Sequence, residues 1–465
     1  MLIIHRIKLI ILCIIYFSTG FARGRPDGQV NHDNEDKVGG NHDGDSDIDM
    51  DLINFSGIRK NDEHTRHILA NLMDPNPVDP SHNGSLIISE RLIAKEMTGL
   101  TNRSQANLIS TTTPSSPDEL TNFYAESGSI KGADIEMMKK TLVKLFSKAR
   151  SHEANITHKE LIRSKILDRL SLFTSETFCQ EFTGRDKNGA IVKGVNIIGI
   201  LPGRLRGEHG EGVMVIGAHY DTVATCPGMD DNGSGAMAVL ESARILSSKM
   251  GDLNHTIIFV TFDLEELGAL GSIAFVNNYL IPKVLNSNNV KFLGAYIMDM
   301  ILNYDPSVNA QVLPRDISRA APEAADWVRR NNNMGDFVAI WTRRKVDWHL
   351  WYTFEQSFNE LTVPPANHKI LVIDPPIPRT PILFDNYLYR NFMRSDHASF
   401  WNHKSRAYKE TLHAVLITDM GPWRGVQRAC YHEFCDDESQ LTTYNLEFVK
   451  HIIDALVRTV VTFTS

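Results

Sequence analysis

The chain has 465 residues, 42% of them hydrophobic, which is enough for one large domain with a sizeable core plus further segments. Its formal net charge of −8 gives no reason to expect nucleic acid or an anionic membrane as a partner. No apolar run reaches the roughly 18 residues that a membrane-spanning helix needs.

The first 22 residues have the pattern of a secretory signal peptide. Basic residues near the start (His5, Arg6 and Lys8) precede an apolar stretch over 9–17, and small residues follow. The apolar stretch is too short to span a bilayer. The sequence therefore predicts a signal peptide over 1–22 and a secreted, extracellular protein.

Two further segments precede the predicted main domain. Residues 23–57 hold eight acidic residues between Asp33 and Asp51 against one lysine, and such a composition predicts an acidic disordered segment. Residues 58–130 contain weak helical patterns and end in a Ser/Thr/Pro-rich linker, which favours a pro-segment or extended arm. The main domain is predicted to occupy 131–465.

Cysteine usage agrees with an oxidising compartment. Of the five cysteines, Cys13 falls in the signal peptide, while Cys430 and Cys435 are close enough to form a small-loop disulfide. The sequence leaves open whether Cys179 and Cys226 are free or paired. Sequons that predict a glycoprotein begin at Asn54, Asn83, Asn102, Asn155, Asn232 and Asn254.

The first part of the main domain predicts two helices and a hairpin. Apolar residues recur at helical spacing over 135–146 and again over 161–172. Two extended runs, 177–183 and 191–201, flank the dipeptide Asn188-Gly189. Asn-Gly between extended runs is typical of a two-stranded β-hairpin.

The next part predicts a parallel sheet. Three continuous apolar runs are typical of strands buried on both faces, namely 213–216, 257–262 and 293–298. Between the first two, apolar residues at helical spacing over 236–246 predict a right-handed strand-helix-strand unit. A short strand over 414–418 and a helix from Tyr444 close the chain. The predicted fold class is α/β, with a mixed, mostly parallel sheet flanked by helices on both faces.

Charged residues follow the ends of these predicted strands. His219 comes after the first run, Glu265 and Glu266 after the second, and Asp299 after the third, while Asp231 falls at the predicted helix start. In open α/β sheets, ligands bind outside the carboxyl ends of the strands. These groups are therefore predicted to converge on one edge of the sheet.

The chemistry of this set is that of a metal site. A hydrolytic site with two metal ions needs a bridging carboxylate, imidazole and carboxylate ligands on either side, and a separate carboxylate that accepts a proton from water. One possible ligand set consists of His219, Asp231, Glu266, Asp299 and His397. This mixture of nitrogen and oxygen ligands suits zinc better than calcium or magnesium. Glu265 is left over as the candidate base.

Five motifs resemble, in order and spacing, those of the M28 zinc metallopeptidases, the co-catalytic dizinc aminopeptidases. They are GAHYD (217–221), PGMDDNGSG (227–235), DLEELGALGS (263–272), IMDM (297–300) and RSDHASFW (394–401). The resemblance extends from about Lys140 to the C-terminus. It implies the phosphorylase/hydrolase-like α/β/α sandwich typical of zinc exopeptidases, two Zn²⁺ ions per chain and peptide substrates.

The resemblance also implies a role for each predicted ligand. Asp231 is expected to bridge the two zinc ions. His219 and Asp299 are expected to complete the coordination of one ion, and Glu266 and His397 that of the other.

Three further residues have expected roles near the metals. The resemblance implies that Glu265 is the general base and later the proton donor to the leaving amine. It implies that Asp221, two residues after His219, holds the imidazole in its ligating tautomer. Asn232 lies inside the predicted metal loop and is expected to stay unglycosylated despite its sequon.

The sequence therefore predicts a secreted zinc-dependent exopeptidase, preferentially an aminopeptidase that hydrolyses N-terminal residues from peptides. A carboxypeptidase or dipeptidase shares the metal set, and glutaminyl cyclase resembles the same family with a single zinc ion. A secreted, non-catalytic binding protein is an alternative from another class, but it requires a broken ligand set. The region 303–392, where a substrate pocket is expected, contains no motif that indicates a side-chain preference.

Overall fold

A computed structural model of the protein describes residues 107–110 and 132–465, apart from 155, 187, 287–289, 362–366, 404, 406 and 407. The predicted signal peptide (1–22), the acidic segment (23–57) and most of the predicted arm (58–130) lie outside the described residues. Within that arm, 107–110 form an edge strand of the main sheet. The predicted segment boundaries stay predictions.

The strands of the described residues form one nine-stranded mixed sheet. They are β1 (Asn107–Ser110), β2 (Glu176–Arg185), β3 (Ile191–Leu201), β4 (Gly212–His219), β5 (Thr256–Phe262), β6 (Lys291–Met298), β7 (Phe337–Trp341), β8 (Lys369–Ile373) and β9 (Ala414–Thr418). Their order across the sheet is β1-β2-β3-β5-β4-β6-β9-β7-β8. The central strands β5, β4, β6 and β9 are parallel, as are β7 and β8, and the remaining pairs are antiparallel.

Helices connect the strands. They are α1 (Ile135–Phe146), α2 (Ile156–Ser171), α3 (Gly235–Ser247), α4 (Leu270–Phe275), α5 (Arg315–Ala320), α6 (Pro322–Arg330), α7 (Trp348–Glu360), α8 (Leu383–Leu388), α9 (His397–Trp401), α10 (Gln427–Cys430) and α11 (Thr443–Thr464). An irregular turn (Met229–Ser234) precedes α3, with non-helical backbone angles at Asp231 and Asn232, and a π-helical segment (Val276–Leu285) continues α4. In the described part of the chain, no helix is both long and apolar enough to cross a bilayer.

The local predictions for the first half of the domain are confirmed. The two predicted helices are α1 and α2, and β2 and β3 pair antiparallel around the predicted turn, from Arg185 opposite Ile191 to Glu176 opposite Ile200. Gly189 in that turn has φ +84°, a conformation that favours glycine. The predicted strand-helix-strand unit is β4-α3-β5, with β4 and β5 in parallel register.

Both faces of the sheet are covered, as the continuous apolar runs predict. Alternate residues of β4 point to opposite faces: Met214 and Ile216 pack with helices α1, α3 and α11, whereas Val213 and Val215 pack with the π-helical segment Val276–Leu285. A strand buried on both faces has no polar side to present. The predicted α/β architecture with helices on both faces is therefore confirmed.

The parallel core determines where the charged residues meet. Strands β4, β5 and β6 run in the same direction and end at His219, Phe262 and Met298. Residues that follow these ends all lie at one edge of the sheet.

A buried ion pair follows strand β7, on the side of the sheet formed by β9, β7 and β8. The side chains of Arg343 and Asp347 are 0% exposed and form two hydrogen bonds, Nε to Oδ2 at 2.8 Å and Nη2 to Oδ1 at 2.7 Å. Burial alone raises the pKa of Asp347, but hydrogen bonds from Arg343 and His413 lower it below the usual aspartate value.

Asp347→Asn is expected to lower the free energy of unfolding by about 3–5 kcal/mol at neutral pH, because it leaves Arg343 buried without its counter-charge. The folded-state pKa of Asp347 is depressed, so its contribution is present above the unfolded pKa of about 4 and is lost as the pH falls through the folded pKa. Urea unfolding of both proteins at about pH 7 and about pH 3 measures the difference, which should shrink at the lower pH.

The matched control is Asp252→Asn, which changes an exposed aspartate in the turn after α3. This change should alter the free energy of unfolding by less than about 0.5 kcal/mol. A loss in Asp347→Asn that is as small as in the control would contradict the stabilising role of the pair.

Candidate metal centre

The end of strand β4 supplies the first side chain of the site. His219 is 1% exposed, and its Nε2 lies 3.5 Å from Oδ1 of Asp231 and 3.5 Å from Oδ1 of Asp299. Asp231 comes from the turn before α3, and Asp299 follows β6. The ligand atoms of these three residues lie within 4.8 Å of one another and constitute the first ligand group.

Asp221 contacts the His219 ring on the side away from the first ligand group. Its Oδ1 lies 3.5 Å from Nδ1 of His219, the ring nitrogen that faces away from the ligand group. The same carboxylate accepts hydrogen bonds from the amides of Glu265 at 3.0 Å and Glu266 at 3.3 Å. Burial raises the pKa of Asp221, but His219 and Lys159 more than offset this and lower it, so the carboxylate stays charged. One buried carboxylate thus positions residues from two strand ends.

The turn that carries Asp231 is fixed by close backbone packing. Gly228 has φ +63°, and a Cβ at this position would lie 2.2 Å from the carbonyl oxygen of Asp231, so the turn requires glycine. The carboxylate of Asp436 accepts the amides of Asp230 at 2.9 Å and Asp231 at 3.0 Å. The peptide bond between Asp231 and Asn232 is cis.

Asn232 joins this turn to the end of β6. Its Nδ2 donates to the carbonyl oxygen of Met298 at 2.9 Å, and its Oδ1 accepts from the amides of Gly235 at 2.9 Å and Met300 at 3.3 Å. These bonds hold Asp231 close to Asp299. Asn232 is 0% exposed, so its amide is not accessible for glycosylation.

A second ligand group shares Asp231 with the first. It consists of Asp231, Glu266 and His432, whose ligand atoms also lie within 4.8 Å of one another. Nε2 of His432 lies 3.2 Å from Oδ2 of Asp231 and 3.1 Å from Oε2 of Glu266. Although these distances are short, Nε2 of His432 and Oε1 of Glu266 are buried without a hydrogen bond. Buried polar atoms in this state are what a bound cation satisfies.

His432 reaches the site from a loop closed by a disulfide. Cys430 and Cys435 are bonded, which confirms the predicted pairing, while Cys179 and Cys226 are free thiols. The ring of Tyr431 stacks on the ring of His432, with centroids 3.8 Å apart. The loop therefore presents the imidazole at a defined position.

The structure puts His432, and not His397, beside Asp231 and Glu266. His397 is the first residue of α9 and is fully buried, with its ring against Trp401 at a centroid distance of 4.6 Å. Its Nε2 lies 2.9 Å from the carbonyl oxygen of Phe392, and neither ligand group includes it. The motif around His397 predicted a ligand, but the structure places its Nε2 against this carbonyl oxygen and its ring against Trp401, outside both ligand groups.

Sequence reasoning missed His432, although a signal for it was present. The predicted disulfide between Cys430 and Cys435 closes a six-residue loop that contains this histidine. A short disulfide loop near a predicted metal site is a rigid platform for a ligand. The other four predicted ligands, His219, Asp231, Glu266 and Asp299, are brought together.

The electrostatics of the site favour a cation. Burial raises the pKa of Glu266 to about 7, with the nearby carboxylate of Asp231 adding to the effect. Burial lowers the pKa of His432, but contacts with the same two carboxylates raise it to about 10. Clustered carboxylates favour positive charge among them. Together with the unsatisfied buried atoms, this donor set fits divalent metal ions with mixed nitrogen and oxygen ligands.

Glu265 lies beside the two ligand groups without belonging to either. It lines a cavity together with Asp231, Glu266 and Asp299. Its amide is held by Asp221, as described, so the position of its backbone is fixed. This is the arrangement predicted for a general base, which faces the substrate while neighbouring residues bind the metals.

Comparison with known proteins finds similarity to one peptidase family over part of the chain. A model described as peptidase family M28 matches residues 196–334. Aminopeptidase YwaD of Bacillus subtilis (strain 168) is 44% identical over 80 residues, which are 17% of this chain and 17% of that protein. The probable leucine aminopeptidase of Arthroderma otae is 38% identical over 94 residues, 18% of this chain and 25% of that protein. The chain therefore spans a quarter or less of the length of these relatives.

Solved structures match a larger share of this chain, but at lower sequence identity. The LapA aminopeptidase of Legionella pneumophila has a TM-score of 0.45 at 17% identity, with 72% of each chain covered. A glutaminyl cyclase of Bacteroides thetaiotaomicron has a TM-score of 0.44 at 13% identity, covering 71% of this chain and 98% of that one. The family match overlaps the first four of the motifs on which the resemblance rests, and that resemblance is confirmed.

Proposed function

We propose that this chain, whose residues 196–334 match peptidase family M28, is a zinc-dependent exopeptidase that acts as an aminopeptidase on peptides. The observation that carries the proposal is the shared carboxylate of Asp231. Its Oδ1 lies 3.5 Å from His219, and its Oδ2 lies 3.2 Å from His432. A carboxylate with one oxygen towards each of two imidazoles is arranged to bridge two metal ions.

The two ligand groups define the proposed metal positions. His219 and Asp299 complete one position with Asp231, and Glu266 and His432 complete the other. Imidazole and carboxylate ligands in this mixture suit zinc. When bound, zinc ions lower the pKa of a coordinated water and stabilise negative charge that develops on the scissile carbonyl oxygen.

Glu265 is the proposed general base. Its carboxylate lines the cavity beside both ligand groups, where it can accept a proton from water and later donate it to the leaving amine. Asp221 acts as a positioning residue, because it holds the His219 ring and the backbone of Glu265 and Glu266 at once. Both roles follow from contacts within this chain.

The location and substrate class complete the proposal. The signal-peptide pattern over 1–22 supports secretion into the extracellular space. The family match and the relatives named as aminopeptidases support peptides as substrates and the free amino terminus as the point of attack.

The test combines metal content per chain with hydrolysis of leucine amide and other aminoacyl amides, before and after chelation. We expect about two zinc ions per chain, with activity that disappears on chelation and returns with zinc. About one zinc ion with cyclisation of N-terminal glutamine and no hydrolysis would instead support a glutaminyl cyclase. Hydrolysis only of peptides with a blocked amino terminus would support a carboxypeptidase. The absence of both metal and activity would support a binding protein.

A further inference from the structure

The cavity beside the metal centre is lined by two chemically different sets of residues. One set consists of the carboxylates of Asp231, Glu265, Glu266 and Asp299. The other set is largely apolar and aromatic, and its residues include Met300, Trp341, Leu416, Met420, Pro422 and Trp423. A substrate side chain that enters this cavity contacts apolar protein surface along its stem.

Among the described residues, Arg394 is the one cation that lines this cavity. Its guanidinium carbon lies 5.5 Å from the ring centroid of Trp423 and 5.6 Å from that of Tyr431, and its Nη2 donates to the hydroxyl of Tyr431 at 2.9 Å. Arginine has five N–H donors, so most remain available. Stacking on two aromatic rings restricts the side chain without neutralising its charge.

Arg394 has no anionic partner in the part of the chain that the structure describes. Within the described residues, no carboxylate lies within 4.0 Å of its guanidinium nitrogens, and the side chain is exposed. By contrast, Lys159 and Arg163 lie 2.5 Å and 3.1 Å from the buried Asp263. A guanidinium that is held by aromatic rings and has no counter-ion can bind an anionic group of a ligand.

The position of Arg394 is coupled to the metal centre. Tyr431, which accepts its hydrogen bond, is the neighbour of the ligand His432 in sequence and stacks on it at 3.8 Å. The guanidinium is thus held at a defined place relative to the second ligand group.

We propose that Arg394 is a specificity-determining residue that binds a carboxylate of the substrate. The inference rests on the proposed exopeptidase function and adds a substrate class to it: peptides with an acidic group close to the scissile bond. That carboxylate is either the side chain of an N-terminal glutamate or aspartate, or the terminal carboxylate of a dipeptide. Among the charged side chains that line the cavity in the described residues, Arg394 is the one whose charge attracts a substrate carboxylate.

The test compares kcat/KM of the wild-type protein and two variants on matched substrates. Glutamyl and leucyl p-nitroanilides differ in the side chain, and leucyl-glycine and leucyl-glycinamide differ only in the terminal carboxylate. The zinc-loaded wild-type protein, Arg394→Met and Arg390→Met are assayed in parallel. Arg390 is an exposed arginine four residues earlier in the chain that does not line the cavity, and it serves as the control.

In the wild type, we expect the acidic member of one substrate pair to have the higher kcat/KM. In Arg394→Met, the ratio of kcat/KM for that pair is expected to fall by about 10- to 100-fold, the usual effect of a hydrogen bond to a charged group. Arg390→Met should keep the wild-type ratio. A fall in the anilide pair assigns the carboxylate to the side chain, and a fall in the dipeptide pair assigns it to the terminus.

A purely structural role of Arg394, as a support for Tyr431, predicts a different result. All substrates would then lose activity by the same factor, and both ratios would stay at the wild-type value, which would overturn the inference. A wild-type protein that shows no preference for either acidic substrate overturns it without any variant. If the zinc-loaded wild type hydrolyses no aminoacyl substrate, the proposed function itself fails, and this outcome is distinct from the other two.

Discussion

Glu265→Gln is expected to lower kcat for aminoacyl amides by about 10²- to 10⁴-fold while the zinc content per chain stays at the wild-type value. The amide cannot accept a proton from water, but Glu265 belongs to neither ligand group, so its replacement leaves the ligands in place. Its backbone amide can still donate to Asp221, because the substitution changes only the side chain. Steady-state kinetics together with metal analysis by mass spectrometry measure both quantities.

The comparison with Glu266 makes this prediction specific. Glu266→Gln removes a charged ligand of the second group and should reduce zinc content as well as activity. Glu323→Gln, in the first turn of α6, changes a glutamate far from the cavity and should change neither. If Glu265→Gln lost zinc as fully as Glu266→Gln, Glu265 would be a ligand rather than the base.

His432→Ala and His397→Gln are expected to separate the two histidines that compete for the second metal position. His432→Ala removes an imidazole whose Nε2 lies 3.2 Å from Asp231 and 3.1 Å from Glu266, so zinc content should fall from about two ions to about one per chain. Activity on aminoacyl amides should fall with it, because the bridging arrangement is lost.

His397→Gln should keep both zinc ions. The glutamine amide can donate to the carbonyl oxygen of Phe392 in place of the imidazole, and neither ligand group loses a member. A lower Tm is expected, because the ring of His397 packs against Trp401. Loss of zinc in His397→Gln, with normal zinc in His432→Ala, would restore the assignment made from the sequence motif.

Much of the site was predictable because it depends on local sequence. Continuous β-branched and aromatic runs encode strands buried on both faces, and in parallel strands the residues after the carboxyl ends meet at one edge. His219, Glu266 and Asp299 follow β4, β5 and β6 in this way. The strand-helix-strand pattern also explains why the turn with Asp231 lies beside them.

The position of His397 outside both ligand groups and the omission of His432 from the predicted ligands have a common physical cause. Neither histidine follows the end of a strand, so their places depend on packing rather than on strand direction. Nε2 of His397 lies against the carbonyl oxygen of Phe392, while the disulfide between Cys430 and Cys435 closes the loop that brings His432 to Asp231. Sequence spacing alone does not distinguish these two outcomes.

The sequence by itself determined the α/β fold, the edge at which the charged groups meet and four of the five ligands now proposed, because each depends on strand and helix patterns along the chain. Only the tertiary structure decided that His432 completes the second group and that Arg394 lies in the same cavity without a carboxylate partner. Both come from irregular segments near the C-terminus, and their positions depend on contacts with Tyr431 and Trp423 that no local pattern encodes.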